Sequence, residues 1–243
     1  MGRVEHCEQS AKRSGDTFSA SKRREWLQER KRGIGGSDAA AIIGLNPYMS
    51  NVELWEIKTG RKEQKDISEK EAVKFGVLAE DHIRQMFILD YPQFYVKHED
   101  FKTYQNIEHP FIRGSFDGEL TDTQTNRSGV LEIKTGTIRR AADWVKWGGR
   151  NFGEIRIPQN YYVQILHYFL VREDFEFAIL KARLTELNFE NSDFFNEKRI
   201  HIRHYPIERK NCLSDLDYLY QKEEEFWGYV ERNERPPLIL QGL

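Results

Sequence analysis

The chain has 243 residues, 39% of them hydrophobic, with 37 Lys and Arg against 39 Asp and Glu for a net charge of −2. That near balance excludes a polycation held to nucleic acid by bulk charge, while leaving room for basic residues gathered on one face. A mean hydropathy of −0.73 without a long apolar run excludes a membrane-spanning helix. Residues 1–20 are polar and lack an apolar signal core, so they read as a mobile segment of a cytoplasmic protein. Two cysteines, Cys7 and Cys212, supply neither a disulfide framework nor a four-thiolate metal or iron–sulfur site.

Residues 21–243 read as one domain. Residues 21–31 (SKRREWLQERK) have a helical pattern, and the glycine-rich turn Arg32–Gly36 leads into a short alanine-rich helix. Ser37 or Asp38 would cap that helix and Asn46-Pro47 would end it. Val52–Thr59 predicts a further helix stopped by Gly60, and a charged connection leads to a long helix over Ser68–Leu89. Near Val96 the period changes to two. Val96–Tyr104, Phe111–Leu120 and Gly129–Thr135 predict three antiparallel strands, the last two joined by the turn TDTQTNRSG.

The segment Arg139–Arg150 is basic and carries Trp144 and Trp147, which either stack unpaired bases or pack in the core. Pro158 opens a helix through Val171. Strands around Phe175–Ile179 and Ile200–Ile202 follow, then an amphipathic helix over Ser214–Glu231. His201 and His204 have no further ligand nearby in sequence and read as non-metal residues. The succession predicts an α/β fold with a mixed central sheet flanked by helices.

Asp117 ends one strand, and Glu132-Ile133-Lys134 lies on the next, where Glu132 and Lys134 share a face. Two hard carboxylates without nearby His or Cys favour Mg²⁺ or Mn²⁺ over zinc, and a lysine beside them can position water. The tripeptide Glu-x-Lys is itself uninformative: it occurs at Glu29, Glu56, Glu63, Glu132 and Glu208, and Glu-Ile-Lys-Thr-Gly occurs at both 56–60 and 132–136. Context separates Glu132, which follows an apolar strand with an aspartate one hairpin upstream. Glu56 lies in a helical window and reads as a solvated face. A cross-strand ion pair on an edge strand is the alternative to a metal site.

Arg30, Gly33-Ile34-Gly35-Gly36-Ser37-Asp38, Asn46-Pro47-Tyr48, Leu54-Trp55-x-x-Lys58-Thr59-Gly60, Phe75-Gly76-x-x-x-Glu80, Ser115-Phe116-Asp117-Gly118, Leu131–Thr135 and Pro158-x-x-Tyr161-Tyr162-x-Gln164 occur in that order. Over roughly residues 22–171 this series resembles the YqaJ-type viral recombinase nucleases, the family of phage lambda exonuclease. The resemblance implies a restriction-endonuclease-like core of the PD-(D/E)xK class, with Phe116 standing where the class name has proline.

It further implies that Asp117, Glu132 and the Ile133 carbonyl hold Mg²⁺, with Mn²⁺ able to substitute. Lys134 would prepare the attacking water, and Glu80 and Gln164 would complete the site. Arg30 and Ser37 would contact a terminal 5′ phosphate, with Gly35, Gly36, the positive end of the following helix and Arg140 adding phosphate contacts. Leu166 replaces a second glutamine and receives no role. The implied activity is 5′-to-3′ degradation of double-stranded DNA ends by a ring-shaped homotrimer of phage or prophage origin. It would leave 3′ single strands for a single-strand annealing protein. A structure-dependent or sequence-specific endonuclease on the same core is the alternative.

Overall fold

The computed structural model describes residues 21–23, 25–151, 156–187 and 198–240, so the segment 1–20 lies outside the described residues. Helical residues 25–29 run into a 3-10 turn at Arg30–Arg32. The elements that follow are α1 (Gly36–Ile42), α2 (Asn51–Lys58), α3 (Glu71–Asp90), β1 (Phe94–Lys97), β2 (Tyr104–Gln105), β3 (Arg113–Gly114) and β4 (Gly118–Asp122). After these come β5 (Ser128–Ile138), α4 (Ala141–Val145), α5 (Gln159–Val171), β6 (Phe177–Leu187), β7 (Lys198–Glu208) and α6 (Leu213–Glu231).

Five strands form one mixed sheet in the order β1-β4-β5-β6-β7. Only β5 and β6 run parallel, and a parallel pair needs a crossover, which α4 and α5 provide. Alternation along β5 divides the core. Val130 packs with Leu180 and with Ile165 and Phe169 of α5 on one face, while Leu131 and Ile133 pack with Ile83 and Phe87 of α3 on the other. Buried Ala39, Ala40 and Ala41 are small enough to let α1 lie close against α5.

Two expected strands are each broken. β1 ends at Lys97, and the chain turns through Phe101 (φ 59°) before β2 pairs separately with β3. The stretch 111–120 divides into β3 and β4 around Ser115–Asp117, and that interruption takes Asp117 out of the backbone ladder. β5 is the middle strand, so the edge-strand setting of the ion-pair alternative does not hold.

One buried pair ties the layers together. His167 of α5 and Glu223 of α6 are both fully buried, with Nδ1 2.7 Å from Glu223 Oε1 and Nε2 2.7 Å from the Arg113 carbonyl. Both ring nitrogens face acceptors, which an imidazolium satisfies as a double donor. Burial pushes the ring's pKa down, but the Glu223 charge and the hydrogen bonds outweigh it and hold it above the ordinary histidine value. The resulting stabilisation is complete below the unfolded value of about 6.5 and is lost as pH rises through the elevated folded value. Urea midpoints measured from about pH 6 upward should therefore fall more steeply for wild type than for His167→Gln. Equal slopes would show that the ring is neutral in the fold. His167→Ala, which leaves Glu223 buried and unpaired, should cost about 3–5 kcal/mol.

Candidate active site

Gly118 of β4 pairs with Leu131 of β5, and the same register sets Asp117 across from Glu132. Asp117 Oδ2 accepts the Ile133 N–H at 2.6 Å, standing in for a strand carbonyl where β4 has ended. A strand residue's N–H and C=O point to the same edge, so the Ile133 carbonyl also faces the Asp117 side. Lys134 Nζ lies 2.5 Å from Glu132 Oε1. From α5, Gln164 donates Nε2 to that oxygen at 2.7 Å and to the Tyr168 hydroxyl at 2.6 Å. The other oxygen, Glu132 Oε2, is buried with no hydrogen-bond partner.

Burial, then the charges of Glu132 and Glu80, push the Asp117 carboxyl well above its usual range. Burial likewise raises Glu132, against the opposing pull of Lys134. Burial works against the Lys134 ammonium, yet the charges of Glu132 and Asp117 hold its pKa above the ordinary lysine value. Two carboxylates forced together, one with an orphaned oxygen, are the donor set a hard divalent cation would neutralise. Among the described residues no three of His, Cys, Asp and Glu gather into a metal-binding group. A cation here would accordingly be held by Asp117, Glu132, the Ile133 carbonyl and water, and Mg²⁺ characteristically keeps several waters.

Glu80 lies within charge reach of both carboxylates, but its contact is with Arg84, Nη2 to Oε1 at 3.4 Å. It is adjacent to the pair rather than joined to it. The sequence reading missed three supporting residues. Buried Arg84 donates Nε to the Asp117 carbonyl at 2.9 Å and so fixes the aspartate from α3. Tyr168 holds Gln164, and the Tyr161 ring lies 4.8 Å from Lys134 Nζ. Helical spacing was the available signal for two of them, since Arg84 follows Glu80 and Tyr168 follows Gln164 by four residues.

The glycine turn lies against the same helix. Arg30 Nη2 donates to Ser37 Oγ at 2.9 Å while its guanidinium lies over the Trp26 ring at 4.6 Å. Trp26 Nε1 in turn donates to Ser115 Oγ at 3.0 Å, two residues before Asp117. The Gly35 N–H is already used, because Asp38 Oδ2 accepts it at 3.0 Å. With that amide taken, the expected phosphate contacts of the turn are Arg30, Ser37 and Gly36. Arg140 is exposed at the start of α4, where its N–H bonds Asp143 Oδ2 at 3.0 Å and its charge lies near Asp143. Trp144 and Trp147 are 4% and 6% exposed, and Trp147 packs on Tyr161 and Tyr205, so both are core residues rather than base-stacking platforms. His201 and His204 pair separately with Glu186 and Tyr91.

A mixed sheet carrying Asp117 opposite Glu132-x-Lys134, with helices on both faces, is a restriction-endonuclease-like fold. Its likeness extends to solved structures. The alkaline exonuclease LHK-Exo from Laribacter hongkongensis matches with a TM-score of 0.58 and 15% identity, covering 86% of this chain and 93% of that one. LHK-Exo in complex with dAMP gives 0.57 and 14% over the same shares of the two chains. A phage-related exonuclease from Haemophilus somnus 129PT gives 0.50 and 14%, covering 82% of this chain and 94% of the other. At such identities the likeness is one of fold.

The chain belongs to the YqaJ-like viral recombinase domain family, whose model matches residues 25–174. Uncharacterized protein YqaJ of Bacillus subtilis (strain 168) is 31% identical over 210 residues, 86% of this chain and 57% of that protein. The chain thus spans little more than half the length of this curated relative.

The join between turn and site is tight. A Cβ on Gly36 would lie 2.6 Å from Tyr168 Cε1 and 3.1 Å from Gln164 Cγ. Gly36→Ala should therefore destabilise the protein by about 1–3 kcal/mol, read as a lowered unfolding midpoint. An unchanged midpoint would show that α1 and α5 separate without cost.

Proposed function

We propose that the protein is a Mg²⁺-dependent exonuclease that degrades one strand of duplex DNA from a 5′ end, with Mn²⁺ able to replace Mg²⁺. The observation that carries this reading is the gathering of Asp117, Glu132 and Lys134 on adjoining β4 and β5, with Lys134 on Glu132 Oε1 and the other oxygen, Oε2, buried without a hydrogen-bond partner. Family membership and the exonuclease fold likeness support it.

A bound cation would supply charge neutralisation at the phosphodiester and a lowered pKa for water. Asp117 and Glu132 hold it, each fixed from outside by Arg84 and Gln164. The Lys134 ammonium, set by Glu132 and the Tyr161 ring, orients the attacking water and offsets charge growing on the phosphoryl oxygens. Water's oxygen bonds to phosphorus, the P–O3′ bond breaks, and the departing 3′ oxygen takes a proton. The remaining strand then begins with a 5′ phosphate, the group that Arg30 and Ser37 would read before the next cut. The exposed 3′ strand would pass to a single-strand annealing protein in a phage-type recombination reaction in the bacterial cytoplasm.

Chelating divalent metal should abolish degradation of linear duplex, and Mg²⁺ or Mn²⁺ should restore it. Asp117→Ala and Glu132→Ala should lose Mn²⁺ binding by calorimetry, and Lys134→Ala should lower turnover roughly 10²–10⁴-fold while DNA binding persists. Cleavage of closed circular duplex would turn the reading to an endonuclease, and a native rate in Lys134→Ala would remove the lysine from it.

We further propose a ring-shaped homotrimer around the duplex, in which an acidic exterior and a basic channel sum to the net charge of −2. Light scattering should give three times the 28.8 kDa chain mass. A processive monomer would contradict the ring.

A further inference from the structure

The motif Leu54-Trp55-x-x-Lys58-Thr59-Gly60 takes no part in the chemistry proposed above. Most of it serves the fold. Trp55 is buried and donates Nε1 to the Tyr229 carbonyl at 3.3 Å, Thr59 Oγ1 donates to the Trp55 carbonyl at 2.8 Å, and Gly60 (φ 74°) follows the end of α2. Lys58 does something else. Its ammonium lies 2.7 Å from Asp38 Oδ2, with the two side chains 5% and 8% exposed, and donates to the Arg30 carbonyl at 3.0 Å.

Asp38 is an awkward neighbour for a phosphate site. Its carboxylate caps the Gly35 N–H in the very turn that joins Arg30 to Ser37. A Cβ on Gly35 would lie 3.4 Å from Asp38 Oδ2 and 3.9 Å from Arg30 Nη2, so carboxylate and guanidinium flank one glycine. Burial pushes the Asp38 carboxyl up, but Lys58 and Arg30 outweigh it and keep it ionised. Without Lys58, that negative charge would repel an incoming phosphate and draw Arg30 to itself.

We propose that Lys58 is the positioning residue of the phosphate cradle: by cancelling the Asp38 carboxylate it leaves the Arg30 guanidinium for a terminal 5′ phosphate and so sets the preference for phosphorylated ends. The proposal rests on the reading of Arg30 and Ser37 as phosphate contacts.

The test measures binding in EDTA, where no strand is cut, by anisotropy of 3′-labelled duplexes carrying 5′ phosphates or 5′ hydroxyls. Lys58→Gln keeps a donor for the Arg30 carbonyl while removing the charge. Asp38→Asn keeps an acceptor for the Gly35 N–H. Wild type should bind the phosphorylated duplex at least about tenfold more tightly. Lys58→Gln should reduce that ratio to below about threefold with unchanged affinity for hydroxyl ends, and Asp38→Asn/Lys58→Gln should restore most of it. A merely structural lysine would not be rescued by deleting the carboxylate it faces.

A wild-type protein without phosphate preference would remove the cradle reading itself. A wild-type preference that folded Lys58→Gln retains, or that both Lys58→Gln and the double variant lose, would overturn the role of Lys58. Should Lys58→Gln fail to fold, Asp38→Asn alone decides: a preference equal to or above wild type supports the proposal, and one below it overturns the proposal.

Discussion

The buried Glu132 carboxylate held beside half-buried Asp117 in the middle of the sheet is the constraint around which the protein is arranged. Removing a carboxylate from water costs several kcal/mol, and a second one alongside adds repulsion. The neighbours offset this piecemeal. Lys134 and Gln164 share Glu132 Oε1, the Ile133 N–H serves Asp117 Oδ2, and Arg84 grips the Asp117 carbonyl. What they leave over is Glu132 Oε2, buried and unpartnered. A fold that compensates three sides of a charge cluster and leaves the fourth open stores its electrostatic deficit where a cation can relieve it.

Helix α5 distributes that arrangement to the rest of the molecule. Gln164 reaches the Glu132 carboxylate, Tyr168 four residues on supports Gln164 and bears against Gly36, and His167 bonds both Glu223 and the Arg113 carbonyl. One stretch of five residues thus meets the candidate catalytic pair, the glycine turn and the C-terminal helix. Disturbance at any of these is felt through the same side chains, and α1, built from alanines, leaves little slack to absorb it.

The hairpin from β4 to β5 was legible because alternation and a polar turn fix its register, and the register places Asp117 opposite Glu132. The break between β3 and β4 was not, since 111–116 reads as strand by composition and its interruption depends on Asp117 bonding a strand N–H. β5 runs on to Ile138 because β6 pairs with it along its length, although Thr135-Gly136-Thr137 lacks an apolar alternation. Beyond the spacing of four from Glu80 to Arg84, nothing in the sequence tells what Arg84 and Lys58 contact. Each acts on a backbone carbonyl or carboxylate far away in sequence, and no local pattern encodes such a contact. The tryptophans of the basic stretch looked available to bases only because burial is a tertiary property. Trp144 lies beneath Arg203, whose Nη1 donates to the Trp147 carbonyl at 2.6 Å, closing that segment onto β7.

The repeated pentapeptide Glu-Ile-Lys-Thr-Gly shows why spacing alone carries so little. On β5 the side-chain period is two, so Glu132 and Lys134 point the same way and meet at 2.5 Å. On α2 residues two apart are turned by about 200°, so the same glutamate and lysine diverge. Glu56 stays half-exposed while Lys58 turns inward to Asp38. The isoleucine is buried in both copies, Ile57 and Ile133, yet Thr59 caps a helix where Thr135 continues a strand beside Arg183. One copy gathers opposite charges at a point where a third charged group, Asp117, already stands. The other sends a single cation across to a carboxylate on a different helix, α1. Glu-x-Lys therefore signals a charge cluster only where the backbone has period two and the antiparallel neighbour contributes an acid in register, and residues 132–134 meet both conditions.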